Sequence, residues 1–193
     1  STGDTVETVK ARALLREISE AAWACGDPGM QFDTTINDWH TRPVSGRINA
    51  SNPCSEFLSL DDTACNLASL NLMRFRRDDG EFDPDRFAKA VDIIITAQEI
   101  LVGFGDYPTE KITGNARANR ELGIGYANLG ALLMDRGLAY DSDEGRGYAA
   151  SITALLTGEA YAQSARIAGV VGPYENYPLN RSGHDRVMEM HRL

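Results

Sequence analysis

The sequence predicts an α/β chain, rich in helix, with a few short strands gathered between residues 30 and 72. Four long stretches carry apolar residues at steps of three and four, the spacing of a helix with one buried face. Between the first two of these, short mixed runs alternate with turn formers (Asn37-Asp38, Arg42-Pro43, Ser45-Gly46). The 193 residues are 42% hydrophobic and 24% charged. A chain of that size and make-up buries roughly 70% of its unfolded surface, so disorder, collagen and a disulfide scaffold are poor fits. Length gives about one to one and a half domains. We expect residues 1–193 to form a single partial domain with no complete second one.

Residues 5–25 read as the first helix, with Leu14, Ile18, Ala21 and Cys25 on one face and Cys25 as a core residue. Gly26-Asp27-Pro28-Gly29 ends it with turn chemistry. Residues 30–72 read as short strands and ordered loops. Ala64 to Leu72 alternates in its second half as a half-buried strand does. Asp83-Pro84 is an N-cap followed by proline at the first helical position, opening a helix through Phe87, Val91, Ile95 and Leu101 that breaks at Gly103 and Gly105. A third helix is expected over 116–136, with Leu122, Tyr126, Leu129 and Leu133 on one stripe and Gly137 as its stop. Gly123, Gly125 and Gly130 inside it call for close backbone packing, since each costs about 1 kcal/mol against alanine. Asp141-Ser142-Asp143-Glu144 offers a capping start for a fourth helix to about Ala168, with Ile152, Leu155, Leu156 and Ile167 facing the core and Gly172-Pro173 closing it. Residues 184–193 read as a further helix without a stop signal, and both ends read as cut from a longer chain.

The net charge is −9. Affinity for polyanions comes mostly from Lys and Arg on phosphates, so a nucleic acid polymer or an anionic membrane is not the expected partner. No apolar run is long enough to span a membrane. The three cysteines, Cys25, Cys54 and Cys65, form no CxxC and match no zinc module, which points to thiols in a reducing cytoplasm. His40, His184 and His191 are too scattered for a metal site and are expected to be solvated or capping. Trp23 and Trp39 are expected in core or rim packing, and Tyr126, Tyr140 and Tyr161 as packed rings with satisfied hydroxyls. Gly123-x-Gly125 falls within a helical pattern and is no dinucleotide fingerprint. Arg74, Arg76, Arg77, Asp78 and Asp79 read as a solvated turn.

The informative stretch runs from Gly46 to Phe57. Pro53 donates no backbone N–H and holds Asn52 toward an extended conformation, so this is a loop or an edge. In an extended segment residues i, i+2 and i+4 point the same way. Asn52, Cys54 and Glu56 then present an amide, a thiol and a carboxylate from one side, a set suited to gripping two adjacent hydroxyls with the sulfur facing a carbon between them. By itself Asn-x-Cys-x-Glu fixes only three positions, and a lone cysteine more often packs than reacts.

The surroundings add weight. Trp39-His40-Thr41-Arg42-Pro43, Gly46-Arg47-Ile48-Asn49-Ala50-Ser51-Asn52-Pro53-Cys54-Ser55-Glu56 and Thr63-Ala64-Cys65-Asn66-Leu67-Ala68-Ser69-Leu70-Asn71-Leu72 resemble the large catalytic subunit of ribonucleotide reductases, most closely the adenosylcobalamin-dependent (class II) branch. So do Leu122 to Gly130, Tyr140 to Gly145 and Thr157 to Tyr161. The resemblance covers nearly the whole chain, as an interior part of a longer one. It implies a section of a ten-stranded α/β barrel, with Cys54 at the tip of a finger loop. It implies that Cys54 becomes a thiyl radical and removes the 3′ hydrogen of a ribonucleotide. Glu56 then takes the 3′-hydroxyl proton, and Asn52 orients the sugar hydroxyls. Cys65 is one of two cysteines that supply reducing equivalents and end as a disulfide, its partner lying outside the chain. The implied cofactor is adenosylcobalamin. The implied partners are a ribonucleoside di- or triphosphate, the remainder of the reductase chain and a thioredoxin-like reductant. Arg42 departs from the cysteine of close relatives, outside the catalytic set. The alternatives are a class I large subunit served by a separate radical-generating subunit, or a non-catalytic piece of a split reductase. Taken from its barrel, such a section exposes strand edges and apolar helix faces.

Overall fold

The structure is a computed structural model that describes residues 4–26 and 29–192. Its elements in order are α1 (Ala11–Cys25), α2 (Asp33–Asp38), β1 (Asn66–Asn71), a 3₁₀ turn (Leu72–Phe75), α3 (Pro84–Phe104), α4 (Glu110–Asn119), β2 (Leu122–Ala127), α5 (Leu129–Asp135), α6 (Asp143–Val171) and α7 (Tyr177–Met190). The mixture of helix and strand is as expected. β1 and β2 pair in parallel, in register from Asn66 opposite Leu122 to Asn71 opposite Ala127. Parallel neighbours need a crossover, and α3 with α4 supplies it.

α3 is built as its sequence asks. The Asp83 side chain accepts from the Arg86 amide and Pro84 sits in the first turn. Phe87, Val91, Ile95, Gln98 and Val102 form its buried stripe. That stripe meets α6, β1 and β2. The core gathers Leu72, Phe75, Phe87, Val91, Ile95, Leu132, Ile152 and Leu156, with Phe87 edge-on to Phe75 at 5.0 Å. Gln98 is the polar member of the stripe. Its Nε2 donates to Asn66 O and to Gly123 O, both at 2.8 Å, and so bridges the two strands. α6 starts where its cap predicts, with Ser142 Oγ accepting from the Gly145 amide.

Four expectations are corrected. The helix over 116–136 is two helices with a strand between them. Arg120 and Asn128 adopt left-handed backbone at φ 55° and 68°, and Leu122 to Ala127 pairs with β1 instead. Gly123 is small for the reason expected, in a different element: a Cβ there would lie 2.5 Å from Leu67 Cδ2 and 2.9 Å from Cys65 Sγ. The first helix starts at Ala11 and buries no residue, so Cys25 is exposed and is not core, and Trp23 is 91% exposed. Tyr140 is likewise exposed, whereas the Tyr126 hydroxyl meets Thr153 Oγ1 at 2.7 Å. Within 30–72, read as short strands and ordered loops, residues 33–38 form the helix α2, and outside β1 the only ladder among the described residues is the single bridge between Ser51 and Leu58. Gly26 closes α1 at φ 82°, while Asp27 and Pro28 of the expected turn lie outside the described residues.

Candidate active-site loop

The segment leading to Cys54 is positioned by side chains that cap backbone groups. Asn37, from α2, clamps buried Ile48: its Oδ1 accepts from Ile48 N and its Nδ2 donates to Ile48 O, both at 3.1 Å. His40 Nε2 meets Gly46 O at 3.1 Å. His40 is 3% exposed, which corrects the solvated reading, and burial lowers its pKa below the usual histidine value. Asn180, wholly buried on α7, holds the next turn. Its Oδ1 accepts from Val44 N and Ser45 N (2.9 and 3.3 Å), and its Nδ2 donates to Ser45 Oγ and Asn176 O (2.7 and 2.9 Å).

From Ser51 to Leu58 the chain forms a tight hairpin. Asn52 N donates to Phe57 O at 3.2 Å, and Asn52 Oδ1 accepts from Phe57 N at 3.0 Å. Ser55 N donates to Asn52 O at 3.1 Å, closing a turn with Pro53 in its second position, where the fixed φ of proline fits. Ser55 sits at φ 66°, a conformation costing a non-glycine residue about 1 kcal/mol. Gln31 Nε2 offsets that cost with a bond to Ser55 Oγ at 2.6 Å.

The turn corrects the expected geometry of the site. Asn52, Cys54 and Glu56 do not share one face of an extended strand, because the backbone reverses through Pro53–Ser55. Cys54 stands exposed near the apex, Glu56 is exposed beyond it, and Asn52 is half-buried at the base. The Asn52 carbonyl is committed to the hairpin, and its Nδ2 hydrogens have no protein acceptor among the described residues. Cys65, half-buried just before β1, is pushed up to about 11 by burial first and then by the charges of Glu121 and Glu56. Glu56, which the sequence set beside Cys54, thus acts on Cys65. Cys65 is a neutral thiol at physiological pH.

Sequence reasoning missed the groups that hold this region. Arg42 and Glu121, 79 residues apart, form a buried ion pair at 2.6 Å. Ser59 joins it, accepting from Arg42 Nη2 at 2.6 Å and donating to Glu121 Oε1 at 2.8 Å. The departure at position 42 was the one signal available in the sequence, and it carried no partner with it. Among the described residues no three His, Cys, Asp or Glu side chains gather as metal ligands. No described helix is long and apolar enough to cross a membrane.

The hairpin thus presents an exposed thiol, flanked in sequence by an amide and a carboxylate, and a second, half-buried thiol stands at the entrance to β1. Comparison with known proteins gives the family. The ribonucleotide reductase barrel-domain model matches residues 2–193, and the chain belongs to that family. It is 59% identical over 98% of its length to a vitamin B12-dependent ribonucleotide reductase of Streptomyces avermitilis, covering 20% of that protein. It is 48% identical over 98% of its length to a protein of the same name from Agrobacterium fabrum, covering 15% of it. A vitamin B12-dependent ribonucleoside-diphosphate reductase of Mycobacterium tuberculosis is 34% identical over 93% of this chain and is covered over 26% of its own length. The chain therefore spans about a fifth of the length of such relatives.

Proposed function

We propose that this chain is an interior section of the catalytic barrel of a vitamin B12-dependent ribonucleotide reductase, and that the hairpin around Cys54 is its finger loop. The observation that carries the reading is the exposed thiol of Cys54 near a turn apex, with Asn52 at the base of the same hairpin and Glu56 just beyond the turn. The substrate is a ribonucleoside di- or triphosphate whose phosphate contacts lie in the rest of the polypeptide.

Each residue has a role its surroundings allow. Asn52 keeps its Nδ2 hydrogens for the sugar hydroxyls while its carbonyl stays in the hairpin. Cys54, as a thiyl radical, takes the 3′ hydrogen atom. Glu56 takes the 3′-hydroxyl proton as the 2′-hydroxyl leaves as water. Cys65, held as S–H, gives hydrogen together with a partner cysteine elsewhere in the polypeptide, and the pair ends as a disulfide that a thioredoxin-like reductant reopens. The donor chemistry fits adenosylcobalamin: an exposed thiol at the apex is open to attack by a radical, and Cys54 is the residue here that faces that chemistry. When bound, that cofactor supplies the initiating radical. Residues of the remaining barrel cover the loop tip, which stands open in this section.

Deoxyribonucleotide formation by the full-length polypeptide, with and without adenosylcobalamin, is the test. Activity that needs both the cofactor and Cys54, and falls to background in Cys54→Ala, is the expected result. Activity that needs Cys54 and ignores the cofactor assigns the protein to the branch with a separate radical subunit. A folded, complete chain inactive in both forms removes the catalytic reading.

A further inference from the structure

Glu121 stands at the entrance to β2, where both its main chain and its side chain act on the start of β1. Its carbonyl oxygen accepts from Asn66 N at 3.3 Å, tying it to the residue after Cys65. Two residues on, Gly123 packs so closely that a Cβ there would stand 2.9 Å from Cys65 Sγ. The Glu121 carboxylate is held by a closed ring of three bonds with Arg42 and Ser59. The ion-paired side chains are 7% and 11% exposed, and Glu121 Oε2 is buried without a partner among the described residues.

A buried ion pair contributes little net stability compared with apolar residues of the same volume. What the pair does that an apolar pair could not is fix a carboxylate beside Cys65. We propose that Glu121, clamped by Arg42 and Ser59, is a positioning residue for Cys65 that keeps its sulfur in the S–H form. The inference rests on the reading of Cys65 as a hydrogen donor, because a thiolate has no hydrogen atom to give. The upward push on the Cys65 thiol agrees: burial leads it, and Glu121 is the first of the charges behind it. The other titratable groups around the cluster are Glu56 on the hairpin, His40, whose Nδ1 accepts from Arg42 N at 3.3 Å, and Tyr174 and His184, on which Arg42 acts.

The test reads the thiol directly. In the full-length protein, the rate of iodoacetamide alkylation at Cys65 is followed against pH by peptide mass spectrometry. Glu121→Gln keeps the shape of the clamp and removes the charge. Its profile is expected to move to lower pH, with alkylation at pH 8 faster by less than the tenfold of a full pKa unit, because burial is the larger cause and stays in place. Where Glu121→Gln fails to fold, as judged by near-ultraviolet circular dichroism, the apolar pair Arg42→Met with Glu121→Leu is used and is expected to move the profile in the same direction. An unchanged profile in either folded variant overturns the proposal. Turnover of Cys65→Ser tests the redox reading separately: native-like turnover sinks that reading, and the alkylation profiles still decide the coupling.

Discussion

Around Phe87 the chain closes on carbon. Phe75, Phe82, Val91, Leu132 and Leu156 surround or neighbour it, and the polar intruder on the α3 stripe, Gln98, spends its amide hydrogens on strand carbonyls. Around Arg42 the chain closes on nitrogen and oxygen. His40, Arg42, Ser59 and Asn180 are all buried there, and each is bonded to a backbone group or to another buried side chain. The first region is a scaffold whose stability comes from area removed from water and is indifferent to pH. The second holds the segments on either side of the Cys54 hairpin by directional bonds, which fix geometry closely and fail one partner at a time. The radical role proposed for Cys54 calls for the second kind of support, because there the position of one sulfur matters more than the total free energy.

The largest expected effect falls on the scaffold. Phe87→Ala removes a wholly buried ring at the centre of the cluster and is expected to cost about 4 kcal/mol. Urea denaturation of the full-length protein should show it as global loss, with hydrogen exchange rising at α3, β1 and the loop together. Exchange confined to α3 and β1, with the loop still protected, would mean that the two regions are not stacked on one core.

Next comes Arg42→Met, expected to cost about 3 kcal/mol because Glu121 is left buried without its cation. Here exchange should rise at residues 40–48 while α3 keeps its protection. Adding Glu121→Leu should recover most of the loss, since two apolar groups of similar size replace the pair. A double variant as weak as the single one would show that the hydrogen bonds to Ser59, rather than charge, hold the region. A smaller and more local effect follows from Gly183→Ala on α7. Its Cβ would come within 2.7 Å of the Pro43 ring. The expected cost is about 1–2 kcal/mol, as in other overpacked contacts, with exchange rising at Val44 and Ser45.

The same contrast explains what could be read from the sequence. β1, α3 and α6 were legible because their signals are local: alternation from Asn66 to Asn71, Asp83-Pro84, and Ser142 three residues before Gly145. The stretch after Ala116 was not, because Leu122, Tyr126, Leu129 and Leu133 fit a helical stripe while Leu122, Ile124 and Tyr126 fit a strand equally well. What decides between them is β1, 56 residues earlier, together with two left-handed residues, of which Asn128 was a readable break and Arg120 was not. The thiol, amide and carboxylate of the proposed site stand out in the sequence as a set through family-like surroundings. Their geometry does not, since it depends on a turn locked by Gln31 and on a hairpin bond from Phe57 back to Asn52. Nothing local in the sequence pairs Arg42 with Glu121 or Val44 with Asn180.

The smallest expected effect is also the sharpest test of the contrast, since it changes no residue. His40 is buried and His184 half-buried, and both have pKa values lowered chiefly by desolvation. Below the ordinary histidine value of about 6.5 an unfolded or opened loop binds protons that the closed loop refuses. Stability of the closed loop is therefore full above that pH and falls as the pH drops through it. Cys65 works from the other side. Burial pushes its folded pKa up to about 11, above the ordinary thiol value of 9.0, so the closed form keeps a proton that the open form loses. Its contribution is full below pH 9 and falls as the pH rises toward 11. Tyr174, pushed up to about 12 by burial, extends the alkaline limb. Hydrogen exchange at residues 40–48, corrected for intrinsic rates, should pass through a minimum between about pH 6.5 and 9, while α3 stays flat. Cys65→Ser should flatten the alkaline limb and leave the acid limb in place, and His40→Gln should do the reverse. An α3 as pH-dependent as the loop would mean that the buried polar groups open together with the core, and that the two regions are one cooperative unit.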